Sequence, residues 1–377
     1  MKPRIVNMPW TAVGALALAG LAMGQNVPSQ FVVTGAAAEK IQDFTTINLA
    51  TAERIATTCE AAAVAQGVQI SIIVLDHAGN QVYFDRMDGQ GYLNIITADM
   101  KARTALTLRA PSKTIMNAAL QDPPRELQFI QLGEFANSGG LPIVVNKQLI
   151  GAVGVGGSAP KPPVWSDEIC AHKALTEVIG AANVPALLED LPPRQNAGNT
   201  PVPRFATANP PKSTLPAEYV ISGKAAANVF DGNQMTLATA RKMAKACRDW
   251  SAAKNYSASI YILDNAGEFV HMERGDGQVL NNIRTARLKA ETSLRTRQPT
   301  SITGAQLANN PNGTARSTTY FNLFSNSGGI PIVVDGQMIG AIGVGGMPAG
   351  NDEPCAIEGL KAAFGDHVTL PVYPAKQ

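Results

Sequence analysis

A chain of 377 residues with 45% hydrophobic and 16% charged side chains has room for two or three domains and is too apolar to be disordered through its bulk. Its formal net charge is +2, without the basic excess that nucleic-acid binding calls for, so no nucleic-acid partner is expected. In chain order the first element is an export signal over residues 1–24. Lys2 and Arg4 precede an uncharged run from Thr11 to Met23, and Ala22-Met23-Gly24 puts small residues ahead of a cleavage point at Gln25. The run is about 13 residues, short of the roughly 20 that a membrane span needs. No Cys follows it to carry a lipid anchor. The expected location is the periplasm or the cell exterior, with no membrane span once the signal is removed.

The remainder repeats itself. Leu75-Asp76-His77-Ala78-Gly79 returns 188 residues later as Leu263-Asp264-Asn265-Ala266-Gly267, and Arg86-Met87-Asp88-Gly89 returns as Arg274-Gly275-Asp276-Gly277. Asn137 to Gly157 matches Asn326 to Gly346 at 16 of 21 positions, so the chain is a tandem repeat of one domain. The first repeat covers 46–182 and the second 234–366. Between them, 183–233 carries eight prolines and reads as a linker that wraps the surface.

Each repeat opens with a helix, capped by Asn48 in the first copy and Thr236 in the second, with Leu49, Ala52, Ile55, Ala56 and Cys59 on one face. A β-branched strand from Gln69 to Leu75, a turn at Asp76 to Gly79 and a second strand from Gln81 to Asp85 follow. A helix over Leu93 to Leu108, a short helix after Pro111 and a third strand over Phe129 to Phe135 come next. Ile143 to Val145 and Leu149 to Val155 form a hairpin, whose turn in the second copy is Asp335-Gly336. Ser166-Asp167-Glu168 opens a final helix with an acidic first turn. The order α-β-β-α-α-β-β-β-α predicts an α/β (α+β) domain with an antiparallel five-stranded sheet and helices on its faces.

The L-D-x-A-G turn, the R-x-D-G strand end, the helix carrying Lys101, the S-G-G-x-P-I-V-V hairpin and the G-A-x-G-V-G-G strand followed by Asp-Glu resemble the GlcG/HbpS-type haem-binding family, and also the C-terminal domain of PduO-type proteins. The resemblance covers both repeats. It implies a profilin-like fold, a domain that self-associates, and haem as a cofactor or ligand in several members. Pairing of single-domain relatives implies that the two repeats here pair within the chain, with further homo-oligomerisation open.

The polar residues retained by both copies are the candidate ligand-binding set: Arg86, Asp88, Asn94, Thr97, Lys101, Ser138, Gly139 and Gly140, matched by Arg274, Asp276, Asn282, Thr285, Lys289, Ser327, Gly328 and Gly329. Asn94, Thr97 and Lys101 stand at i, i+3 and i+7 on one helix stripe. Lys and Arg would meet carboxylates such as haem propionates, and the glycines would let backbone approach a flat ligand. The alternative is that Arg and Asp pair with each other, Lys is solvated and the glycines shape turns. His77, His172, His271 and His367 are unduplicated, so two equivalent His-ligated irons do not follow, and each reads better as a surface or turn residue. The metal site is left unassigned. No phosphate loop, dinucleotide fingerprint, metal-finger spacing or nucleophile elbow is present, so no catalytic residue is named.

Cys59 and Cys247 lie on the first helix of each copy, Cys170 and Cys355 near the start of the last. In a profilin-like sandwich those helices can pack side by side, so disulfides Cys59–Cys170 and Cys247–Cys355 are expected in an oxidising compartment, the alternative being four buried free thiols acting as small apolar residues. The reading is an exported protein that binds or scavenges haem or a small anionic ligand. The alternatives are an enzyme or enzyme accessory acting on a small carboxylate, with Lys101, Lys289, Arg86 and Arg274 as clamps, and a structural assembly module.

Overall fold

The computed structural model describes residues 27–189, 191 and 212–373, apart from 42, 158, 159, 162, 230, 310–317 and 319. The signal expected over 1–24 and part of the linker lie outside the described residues. In chain order the first repeat forms α1 (Gly35–Ile41), α2 (Leu49–Ala65), β1 (Ser71–Asp76), β2 (Gln81–Arg86), α3 (Leu93–Leu108), α4 (Lys113–Gln121), α5 (Pro123–Gln131), β3 (Gly140–Val145), β4 (Gln148–Gly156) and α6 (Asp167–Ile179). The second forms α7 (Leu237–Ala252), β5 (Ser259–Asp264), β6 (Phe269–Arg274), α8 (Leu280–Thr296), α9 (Thr300–Ala308), β7 (Gly329–Val334), β8 (Gln337–Gly345) and α10 (Asp352–Phe364).

Among the described residues all eight strands join one antiparallel sheet in the order β3-β4-β1-β2-β6-β5-β8-β7. The expected five strands per repeat are corrected to four. The segment assigned to a third strand, 129–135, is the end of α5 and its exit turn. Pro123 and Pro124 occupy the first helical turn, where a missing N–H costs nothing, and Gly133 leaves the helix at φ 75°.

Strand alternation divides the core into two layers. On one face Ile72, Val74, Leu141, Ile143, Val153 and Val155 bury against α2 and α6, with α7 and α10 in the same role on the second repeat. On the other face Ile73, Leu75 and Phe84 share a single cluster with Tyr261, Leu263, Phe269 and Met272, closed by α3 and α8. The two repeats therefore have a common hydrophobic layer and are not beads on a linker. They meet where β2 pairs with β6, Tyr83 opposite Glu273, Phe84 opposite Met272 and Asp85 opposite His271. At the offset of 188 these are exchanged pairs, the signature of an isologous, pseudo-twofold contact.

Each repeat also has a lead-in that local identity does not reveal. Val32 bridges Ile47, and Val220 bridges Met235. The Val33 N–H donates to the Thr46 carbonyl just as Ile221 donates to Gln234. The end of the assigned linker is thus the second copy of 27–47. Asn48, Thr236 and Ser166 accept from the backbone N–H three residues on, the helix starts expected of them.

Both disulfides are present, Cys59–Cys170 with Cα atoms 5.1 Å apart and Cys247–Cys355 with 4.7 Å. They tie α2 to α6 and α7 to α10. Among the described residues no helix is long and apolar enough to cross a membrane.

Candidate functional site at the junction of the repeats

Four of the retained charges, Arg86, Asp88, Arg274 and Asp276, converge on the junction and act reciprocally. Asp76 and Asp264 each fold their own turn by accepting two backbone N–H bonds at one carboxylate oxygen. The other oxygen of each takes an arginine from the opposite repeat: Arg86 donates to Asp264 and Arg274 to Asp76, both at 2.8 Å. Asp88 does not pair with Arg86. It accepts from the N–H of Leu237 at 2.7 Å, at the first turn of α7, and Asp276 does the same for Leu49 of α2 at 2.9 Å. Each repeat thereby holds the start of the other's first helix, where a carboxylate complements unpaired N–H groups. Burial pushes the Asp88 and Asp276 carboxyls up, while these backbone bonds and the arginines pull them back in part.

The helix stripe is similarly occupied. Lys101 and Lys289 are buried, not solvated. Lys101 donates to Asp167 at 2.8 Å and to the Val155 carbonyl; Lys289 donates to Asp352 at 2.7 Å and to the Val344 carbonyl. Asn94 and Asn282 hold Gln90 and Gln278, whose amides reach back to the carbonyls of Gln69 and Ser257. Thr97 and Thr285 donate to carbonyls one turn back on their own helices. Ser327 donates to Glu353, while Ser138 is half-buried.

The glycines have a packing reason. A Cβ at Gly140 or Gly329 would overlap the carbonyl of Lys101 or Lys289, and one at Gly154 or Gly343 that of Ala98 or Ala286. They let α3 and α8 lie directly on the sheet. Gly139 and Gly328 are crowded by the carbonyls of Val155 and Val344. Lys101, Asp167 and the glycines therefore come together, but around each other.

At the pseudo-twofold axis the copies have diverged into opposite charges. Glu53 and Glu60 of α2 stand at the positions of Arg241 and Arg248 of α7. Arg241 reaches Glu60 and the fully buried Asp85, and Arg248 reaches Glu273 and Glu53. His271 was expected at a surface or turn. It is instead 1% exposed on β6, with Nδ1 2.6 Å from Asp85 and Nε2 3.5 Å from Glu273. Burial alone would lower its pKa, but the two carboxylates raise it to about 9. Burial and the neighbouring Asp85 raise Glu60 to about 8, against the pull of Arg241. Asp85 is held below the usual carboxylate range, because His271 and Arg241 outweigh its burial.

A cavity of about 240 Å³ opens beside one of the two reciprocal ion pairs. The lead-in, the β1–β2 turn and the loop from β6 to α8 enclose it, with Val33, Ile47, Thr46 and Leu280 beside Arg274 and Asp76. At the pseudo-equivalent place the Tyr92 ring lies on the Arg86 guanidinium, 4.9 Å from its centroid. Gln234 there donates both to the Tyr92 hydroxyl and to Asp264. Sequence reading missed Tyr92, Gln234, Thr46 and Leu280, because each differs between copies and only retained residues were collected. It also passed over Asp76 and Asp264 as turn residues, although both copies keep them.

Among the described residues no cluster of three or more His, Cys, Asp or Glu side chains is placed to hold a metal ion. His77 is beside Asp43 at 3.4 Å, His367 beside Asp335 at 2.9 Å, and His172 is half-buried on α6.

Residues 47–176 and 235–361 match the family model described as haem degrading protein HbpS-like. A protein from the dhaT-dhaS intergenic region of Citrobacter freundii is 35% identical over 140 residues, covering 36% of this chain and 94% of its own. Protein GlcG of Escherichia coli K12 is 37% identical over 90 residues, covering 24% of this chain and 65% of its own. The crystal structure of a double mutant of Streptomyces reticuli HbpS is 27% identical, covers 35% of this chain and 87% of its own, and superposes with a TM-score of 0.32.

Proposed function

The chain belongs to the HbpS-like family, and from that premise we propose that it is an exported protein that binds haem or a related small anionic ligand, a scavenging module and not a catalyst. The observation that carries the reading is the family match over both repeats. Two disulfides support an oxidising compartment, the periplasm or the exterior.

Among the described residues, the junction cavities do not fit an enclosed haem. Cavities at the junction measure about 240, 310 and 430 Å³, below or at the low end of the range for drug-sized ligands, and a macrocycle with two propionates needs more. Three of the four histidines already place a ring nitrogen against a carboxylate. We infer that haem is captured at the surface. Titration of the purified chain with haem, followed in the Soret band, tests the reading. A saturable change is expected, and a linear, non-saturating response contradicts it.

The carboxylate-clamp reading loses its main support, since Lys101, Lys289, Arg86 and Arg274 each have an acidic partner within the chain. The assembly-module reading gains from the reciprocal contacts, which occupy Arg86, Arg274, Asp88 and Asp276 without any ligand. A chain that leaves the Soret band unchanged while remaining folded would favour it.

A further inference from the structure

The two junctions are built from matching positions but completed differently, and the completed one is a template for the other. Arg86, Asp264, Tyr92 and Gln234 form a closed set: a guanidinium paired to a carboxylate, an aromatic ring stacked on the guanidinium, and an amide bonding both the ring hydroxyl and the carboxylate. At the other junction Arg274 and Asp76 repeat the ion pair, but Leu280 stands at the position of Tyr92 and Thr46 at that of Gln234. These four residues line the 240 Å³ cavity. The chain thus supplies a ring and an amide in one junction and leaves space for them in the other.

We propose that this cavity is a binding site for a small aromatic molecule carrying a hydrogen-bonding group beside its ring, of the phenol or aryl-amide class. The ring takes the face of the Arg274 guanidinium, an attraction of the cation–π kind that strengthens as water leaves. A donor on the ligand reaches the Asp76 oxygen that already accepts from Arg274, as Gln234 reaches Asp264. Val33, Ile47 and Leu280 cover the apolar edge. A bulky ligand is excluded by size, and so is haem. The site is independent of the proposed haem binding and stands or falls separately from it.

Ligand-observed saturation-transfer NMR on the full chain tests it, with 4-hydroxyphenylacetamide as probe and 4-hydroxycyclohexylacetamide as the control that keeps the hydroxyl and the amide and lacks the π face. The aromatic probe is expected to bind saturably and the control to bind at least about tenfold more weakly. Thr46→Gln with Leu280→Tyr copies the closed junction into the open one and should abolish binding of the probe. Leu280→Tyr alone, at a position 47% exposed and therefore tolerant of change, should do the same if the double variant does not fold. No saturable signal in the unaltered chain, equal binding of the two probes, or binding undiminished in folded Leu280→Tyr would each overturn the proposal.

Discussion

The junction of the repeats should loosen as the pH rises from neutral into the alkaline range, and His271 should be the cause. His271 faces Asp85 and Glu273 on the sheet, with the Tyr83 ring beside it and Arg241 and Arg248 bound to the same carboxylates. Its folded pKa is raised from 6.5 to about 9, so between those values the folded chain holds a proton that the unfolded chain has released. Stability therefore falls with pH across that window; it is fully present below about 6.5 and gone above about 9. At 1.36 kcal/mol per pH unit the separation corresponds to roughly 3 kcal/mol, to order of magnitude. Glu60, raised to about 8, adds a slope of the same sign, so wild-type behaviour alone does not isolate the histidine. The comparison with His271→Asn does. Urea unfolding of both proteins should show their difference in stability shrinking by roughly 3 kcal/mol between about pH 6 and about pH 9.5. Parallel pH profiles would refute the assignment of a buried imidazolium.

Three further outcomes follow from particular contacts. Lys101→Met leaves Asp167 without its lysine in a buried site and should cost about 3–5 kcal/mol in denaturant unfolding, with Asp167→Leu added to it recovering most of the loss. Asp88→Ala and Asp276→Ala each remove the acceptor at the start of the other repeat's first helix and should lower stability by about 0.5–2 kcal/mol, equally from either side. Cys59→Ser with Cys170→Ser should cost about 2–5 kcal/mol, and reductant should lower the melting temperature of the unaltered chain but not that of a variant lacking all four cysteines.

The fold was legible where the sequence speaks in local chemistry. Asn48, Thr236 and Ser166 announce helix starts, the cysteine pairs fall at matching places, and the Ile143 to Val155 hairpin carries its alternation openly. The segment 129–135 misled because Phe129, Ile130, Leu132 and Phe135 are apolar without being buried. Leu127, Ile130 and Leu132 remain 62–75% exposed on and after α5, so composition there does not report a core. The retained polar set is readable from the two copies, but its partners are not. Retention reports that a residue is needed, and here Arg86, Asp88 and Lys101 are needed for partners 178, 149 and 66 residues away, a pairing no local pattern displays. The complementary pair Glu60 and Arg241 was invisible for the opposite reason, since comparison of copies discards positions that diverge. The open junction pocket belongs to that same class.

The most direct measurement of the central claim, that the two repeats form one structure through reciprocal contacts, is to cut the chain between them. A protease site placed within residues 192–211 allows cleavage after folding, followed by size-exclusion chromatography of the halves. They should co-elute at the size of the intact chain at neutral pH, held by the β2–β6 pairing and the Arg86–Asp264 and Arg274–Asp76 ion pairs. Halves that separate into folded single repeats would contradict the account.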